Sequence, residues 1–545
     1  MSYSVLGGNI MNIGRLADDN IMRFGEYPFV HGDGRWYSNI EMIRGANRLG
    51  RSLQKLGLGR DDRIGVQLLN CTELLQSFFA VFKIGGILVP LNPALRPDDL
   101  AYRYRDAGMS ALITSPDCLD NVITARSGAP EPRHIILTGN TDVPDCALSF
   151  NSLAESGPDE LRAEERDNDD TAVIIYTAGT TGDPKGVMLT HYNWYTHVTG
   201  YYEQVLLDSW GVEALGTARE HTVESGGFMK REDAIFGVSR NRVSLITLPL
   251  FHGYGVFALN LEFLTGGKLV LLRRWDAEEA MRLIERFKIT EFRGVPTMYI
   301  QLLNHPRAGD YDLGSLKTCI CGSAPMPLEI AEAWRERHGI HIWEGYGLSE
   351  ATTVNSGNIA GRRPPKYGSI GKCYQKCNMM KIFDERNREL PPVETGEIVI
   401  KGPCVMKGYW NKPEATAETI RDGWLHTGDV GYTDEDGYFY ITDRKKDLII
   451  RGGENIYPRE VESVIYGHPA VLEAGVIGVP DPVYGETVKA FVTLKKPGSI
   501  TEEDLLAFCK ERLPSYKRPS SVQFMDQLPK SALGKILRRE LRKIA

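Results

Sequence analysis

Residues 176–186 read YTAGTTGDPKG: three glycines, four hydroxyl side chains and one lysine in eleven positions. The loop follows TAVII, a β-branched run that reads as a buried strand. Small backbone, hydroxyl donors and a cation delivered by one strand suit a polyanion, and phosphate is the obvious candidate. A Walker A cradle needs Gly-Lys followed by Ser or Thr. Lys185 instead sits between Pro184 and Gly186, which excludes that motif. The GxGxxG fingerprint fails too, because Thr181 occupies a position where it needs glycine. Further on, GYGLSE at 345–350 has the look of a nucleophile elbow, but GxSxG requires glycine where the chain has Ala351.

The elements that must carry this loop are legible around it. The chain has 545 residues, 42% hydrophobic and 25% charged, the composition of a globular protein with a large core. That length implies roughly three or four folding units. A net charge of −7 is mild and argues against a general nucleic-acid binder. Nine cysteines at scattered positions lack finger spacing and read as reduced thiols in a reducing cytosol. The N-terminal residues carry no basic, apolar secretory pattern. The uncharged run 243–261 has membrane-spanning length, but Pro249, His252, Gly253, Gly255 and Asn260 break it into strand, loop and helix.

From residue 60 onward, β-branched runs (RIGVQLL, GILVPL, ALITS, HIILTG, VSLITLPL, GKLVLL, TEFRGV, LKTCICG) alternate with amphipathic ones (TELLQSFFAVFKIG and 276–288). This alternation predicts layered α/β structure with largely parallel sheets. Residues 206–242 are polar and weakly periodic, and read as a long surface excursion between core elements. After the charged run DRKKD at 443–447 a compact unit begins, with a strand at LIIRGG, a helix from Pro458, strands near 474 and 488, and a helix from Thr501. The division expected is 1–445 and 446–545.

The loop at 176–186, GYGLSE, GWLHTGDVG at 423–431, DRKKDLIIRGGENIYPREVE at 443–462 and KSALGKILRREL at 530–541 occur in this order. Together they resemble the adenylate-forming superfamily of acyl-CoA synthetases, luciferases and peptide-synthetase adenylation domains, over nearly the whole chain from about residue 25. The resemblance implies a large N-terminal domain of layered αβαβα sheets with a β-barrel-like subdomain, and a small α+β C-terminal domain on a hinge. It implies ATP, Mg²⁺ and coenzyme A, with attack of a carboxylate on the α-phosphorus.

Under that resemblance, Thr177, Thr180, Thr181, the amides of Ala178, Gly179 and Gly182, and Lys185 grip the β- and γ-phosphates. Ala178 replaces the family's usual serine, so one hydroxyl contact is missing. Glu350 and Thr177 would hold Mg²⁺, beside Ser349. Adenine would lie against Tyr346, between Ser323-Ala324-Pro325 and Glu344-Gly345. Asp429 suits the two ribose hydroxyls, with Arg444 beside it. Lys535 resembles the mobile lysine that bridges the attacking carboxylate and the α-phosphate, an electrostatic role. Lys446 matches the hinge position. Gly452 and Gly453 resemble the loop along which pantetheine threads, where two glycines admit a narrow arm.

PLFHGYG bears on the fate of the adenylate. Amino-acid-activating relatives place an aspartate near here, whereas this chain has His252, matching the histidine that gates acyl and thiol access in many acyl-CoA synthetases. The acyl pocket expected from His252, Tyr254, Phe257, Met298, Tyr299 and Val354 has no obvious cation. It suits an apolar monocarboxylate: a medium- or long-chain fatty acid first, an aryl or alicyclic acid second. Two other readings compete with the cytoplasmic acyl-CoA synthetase: an enzyme that loads a separate carrier protein, and a non-catalytic ATP-binding relative. No nucleic-acid partner or transmembrane segment is expected; peripheral membrane contact and a homodimer stay open.

Overall fold

The computed structural model describes residues 12–127, 132–139, 143–177, 183–210, 242–358, 364–531 and 534–545. Two large sheets dominate. One has eight strands, in which Arg63–Gln67, Ile87–Pro90, Met109–Thr114, His134–Leu137, Leu148–Ser149 and Thr171–Thr177 run parallel, and Lys185–Thr190 returns antiparallel to Thr171–Thr177. The other has nine, with Val243–Ile246, Lys268–Leu271, Glu291–Gly294, Thr318–Cys321 and Ile342–Tyr346 parallel at its centre. These are the β-branched runs of the sequence, buried on both faces as parallel strands must be.

Helix Thr72–Lys83 is buried almost all round, as is Gly253–Thr265. Both are buried on nearly every side, so the run 72–83 is less one-sided than its amphipathic reading, and both fit only between layers. Phe79 and Phe263 meet there at 4.4 Å between ring centres, and Phe263 lies 4.4 Å from Phe29 of the nine-stranded sheet. Amphipathic helices such as Ala277–Phe287 cover that sheet's outer face through Met281 and Ile284, while Pro97–Ala107 covers the other through Leu100 and Tyr104. The result is five layers, α/β/α/β/α.

A third, antiparallel sheet of Met379–Phe383, Gly396–Lys401, Ile420–Arg421, Trp424–Thr433 and Phe439–Arg444 forms the half-barrel subdomain. The turn Lys445–Asp447 then leads into a small α+β domain. Its sheet is built on the long hairpin Val471–Asp481 and Gly485–Leu494, packed by helices Pro458–Tyr466 and Glu502–Arg512.

Most predicted elements are present. The run 243–261 resolves into strand, loop and helix, and no described helix is long and apolar enough to cross a membrane. The excursion starts later than its composition suggested, because helix His191–Trp210 continues through 206–210. Residues 211–241 lie outside the described residues.

Candidate active site

Strand ends build a cleft at the junction of the nine-stranded sheet, the half-barrel and the C-terminal domain. Strand Ile342–Tyr346 delivers Glu344, Gly345 and Tyr346, and the segment after Thr318–Cys321 delivers Ser323, Ala324 and Pro325. The carboxyl ends of parallel strands are where ligands bind in open α/β sheets. The half-barrel adds Asp429 and Arg444, and the C-terminal domain adds Arg459 and Lys535.

Asp429 and Arg444 are cross-strand partners, with Arg444 Nε donating to Asp429 Oδ1 at 2.8 Å. The Tyr346 hydroxyl donates to Asp429 Oδ2 at 2.6 Å. Both oxygens of this buried carboxylate are therefore engaged, and its orientation is fixed. Lys535 follows Gly534, whose φ of +72° and close approach to Thr297 leave no room for a side chain. The Lys535 amine is brought to about 7, first by burial and then by the guanidiniums of Arg444 and Arg459. Asp429 opposes that shift.

Thr177 and Lys185 face each other at the mouth of the phosphate-type loop. Lys185 Nζ lies 4.8 Å from the centre of the Tyr409 ring, and the Tyr409 hydroxyl donates to Glu350 at 3.1 Å. Burial raises the Glu350 carboxyl above the usual range. Ser349 opens the short turn that carries Glu350. Ala178, Gly179, Thr180, Thr181 and Gly182 lie outside the described residues.

A second cavity shares Glu344 and Gly345 with the cleft. Of the residues expected to line it, Tyr254, Phe257 and Val354 do. Met298 does not: it is buried in the core behind Gly294, together with Tyr299. His252 also stands apart from the lining, capping helix Gly253–Thr265 beside Phe251. Its ring is brought down to about 4 by burial, and Nε2 has no hydrogen-bond partner among the described residues. The expectation of a cavity without a cation fails: Arg242 and Arg293 are both in its wall. The signal was present in TEFRGV, where Glu291 and Arg293 alternate within an otherwise apolar strand.

Arg459 and Tyr409 were also missed. Arg459 follows the helix-starting Pro458 in the motif at 443–462, lines the cleft, and has its amide held by Asp443 at 2.9 Å. Lys446 sits in the turn between half-barrel and C-terminal domain. Gly452 and Gly453 form a two-residue hairpin turn with φ of +60° and +88°, which accounts locally for both glycines.

A cleft that gathers an oriented aspartate, two arginines and a lysine beside a ring-lined cavity, on this fold, belongs to the enzymes that form adenylates. The chain is a member of the AMP-binding enzyme family: residues 17–410 match the AMP-binding enzyme model and 460–535 match the AMP-binding enzyme C-terminal domain. It is 40% identical to a long-chain-fatty-acid–CoA ligase of Bacillus subtilis, over 96% of this chain and 93% of that one. It is 35% identical to a feruloyl-CoA synthase of Amycolatopsis sp, over 94% of each. The crystal structure of an anthranilate CoA ligase in complex with anthranoyl-AMP superposes with a TM-score of 0.86 at 28% identity, covering 98% of this chain and 97% of that one.

Glu344 borders both cavities, and its behaviour can be tested directly. Burial brings its carboxyl up to about 7, opposed by the Met326 N–H at 3.2 Å and by Arg459. A carboxyl raised on folding stabilises the protein below its unfolded value, and that contribution is lost as pH rises through the folded value. The native protein should lose stability between pH 5 and 8 relative to Glu344→Gln, by about 2 kcal/mol after discounting for water in the cleft. Urea unfolding of both proteins across this range checks it; parallel curves would refute the assignment.

Proposed function

We propose that this chain, an ATP-dependent, AMP-forming acid–CoA ligase, activates a monocarboxylic acid with an apolar body to an acyl-adenylate and transfers the acyl group to coenzyme A. The observation that carries this reading is the shared wall at Glu344–Gly345, where the cleft holding Asp429 and Lys535 lies against the ring-lined cavity. A carboxylate emerging there from the cavity would meet the α-phosphate beside Lys535.

Adenine fits the wall of Ser323, Ala324, Pro325 and Gly345 against the Tyr346 ring. Asp429, oriented by Tyr346 and Arg444, would accept from the ribose hydroxyls. Lys535 would bridge the attacking carboxylate and the α-phosphate. Holding the two reacting groups in register and offsetting the developing charge lowers the barrier without the lysine making a bond. Thr177, Lys185 and the loop between them would grip the outer phosphates.

Glu350 fits a role in holding Mg²⁺ together with Thr177. It is a buried carboxyl whose hydrogen-bond partner is the neutral Tyr409 hydroxyl. No cluster of three or more His, Cys, Asp and Glu among the described residues could hold a metal. An ion there would depend on substrate phosphates, as Mg²⁺ commonly does. When bound it would neutralise phosphate charge.

The relatives act on a long-chain fatty acid, ferulate and anthranilate, which supports CoA ligation and leaves the acyl group to the cavity. The aromatic rings of Tyr201, Tyr254, Phe257, Trp343 and Tyr374 in its wall favour an aryl or medium-length acyl group over the long chain. His252, Gly452 and Gly453 are the residues we assign to thiol access. Lys446 is the residue about which we expect the C-terminal domain to turn between the two half-reactions.

Two substitutions separate those half-reactions. Lys535→Ala should abolish carboxylate-dependent ATP–pyrophosphate exchange while leaving acyl-CoA formation from supplied acyl-AMP largely intact. Equal loss of both would remove Lys535 from its role. Lys446→Pro fixes φ at the turn. It should keep exchange within about tenfold, roughly 1.4 kcal/mol of barrier, and lose acyl-CoA formation by far more. A folded Lys446→Pro protein, checked by its melting temperature, that makes acyl-CoA at the normal rate would refute turning about this residue.

A further inference from the structure

The inner part of the acyl cavity is polar in a way an apolar acid does not require. Strands Glu291–Gly294, Thr318–Cys321 and Ile342–Tyr346 pair with Glu291 opposite Thr318, Arg293 opposite Ile320 and Ile320 opposite Trp343. Side chains two apart share a sheet face. Gly345 and Trp343, Ile320 and Thr318, and Arg293 and Glu291 therefore line one face, and all six border the cavity. From the level of Gly345 to that of Glu291 is four residue steps, roughly 13 Å at strand rise. That is shorter than an extended long fatty chain.

At the inner end, four charged groups are almost sealed from water: Arg242, Arg293, Glu262 and Glu291. Arg242 Nη2 donates to Glu262 and, at 2.6 Å, to the Thr265 hydroxyl. Arg293 Nη2 pairs with Glu291 and lies 3.7 Å from Glu262. The Ser244 hydroxyl sits between the two carboxyls, at 3.2 and 3.3 Å. Two cations thus face two acids, so the cluster as a whole gives no strong call for a further charge. Its hydrogen bonding is incomplete all the same. Arg293 Nε and Nη1 and Arg242 Nε close no hydrogen bond among the described residues, although the Tyr254 hydroxyl lies near the Arg293 guanidinium, and all three side chains form cavity wall. Buried donors in native proteins nearly always find an acceptor, water included, so these N–H groups are positioned to bond whatever fills the cavity.

We propose that Arg293, supported by Glu291 and Arg242, is a specificity-determining residue that accepts acids carrying a neutral oxygen acceptor (hydroxyl, ether or carbonyl) at the end remote from the carboxylate. The proposal rests on the ligase reading and names its substrate class. The ring walls take the apolar body, and the orphan N–H groups take the remote oxygen. An acid without that oxygen leaves those donors buried and unpaired, which is how polar sites reject close analogues.

The test compares matched acids with the native enzyme: 4-hydroxycinnamate against cinnamate, 8-hydroxyoctanoate against octanoate, and the dicarboxylate suberate. Pyrophosphate release and acyl-CoA formation are both followed. In at least one pair the oxygenated acid should win by roughly tenfold or more in kcat/KM. Glu291→Gln/Arg293→Met, which removes both charges of the pair, should erase or invert that preference while ATP KM stays within about twofold. Arg293→Lys serves as the second variant should the double one fail to fold, and should reduce the preference because one ammonium cannot replace a guanidinium fork. Preference for the plain acids in the native enzyme, or an oxygenated preference untouched by either variant, would overturn the proposal and leave the ligase reading standing. Preference for suberate would overturn the neutral-acceptor assignment. Turnover of no acid across this panel and a broad set of fatty and aryl acids would overturn the ligase reading itself, and this proposal with it.

Discussion

The site depends on an imbalance of charge. Arg444, Arg459 and Lys535 converge on one cleft with two acids, of which Asp429 is already committed to Arg444 and Tyr346 and Glu344 is raised by burial to about 7 and so only partly charged near neutrality. Burial among guanidiniums is an unfavourable place for a lysine ammonium, and the amine responds by coming down to about 7. A phosphate entering the cleft reverses that situation. The free protein holds its cations close at a cost that an anion relieves, which is preorganisation in the electrostatic sense.

Holding those cations in place requires parts of the chain far apart in sequence. Asp443, fully buried, accepts from the amides of Arg444 and Arg459 at 2.8 and 2.9 Å and lies 3.4 Å from the Arg538 guanidinium. Arg538 in turn grips Glu462 through Nη2 at 2.9 Å to each oxygen, and lies 3.2 Å from Asp447. One aspartate just before the turn at Lys445–Asp447 thereby fixes a helix start and a helix side chain beyond it. A pivot at Lys446 would have to exchange these contacts, so the pose with Lys535 at the cleft is a defined state of the chain.

Much of this was legible in the sequence for a physical reason. Parallel strands buried on both faces leave uninterrupted β-branched runs, and caps such as Asp276 and Thr501 mark helix starts, so element positions are written locally. The cleft residues were legible as motifs because they come close together along the chain or across one strand pair: Tyr346 and Glu344 on one strand, Asp429 and Arg444 as neighbours across two. The acyl cavity was not. Its walls come from three paired strands, from helix Gly253–Thr265 and from helix His191–Trp210, so that Tyr201 and Arg293 become neighbours only after folding. Met298 was misplaced because an apolar residue on a helix can face core or cavity, and its sequence does not say which. Arg293 was passed over since charged residues in a strand ordinarily mark an exposed face, whereas here the compensating acids Glu262 and Glu291 make burial tolerable.

The most direct test of the charge imbalance is the proton balance of nucleotide binding. Isothermal titration of ATP at pH 8, repeated in buffers of different ionisation enthalpy, measures protons taken up. With its amine near 7, free Lys535 is mostly neutral at this pH. A phosphate beside it should restore the ammonium, so the native protein should take up as much as about one proton more than Lys535→Met. Identical uptake by the two proteins, with both binding ATP, would contradict the account.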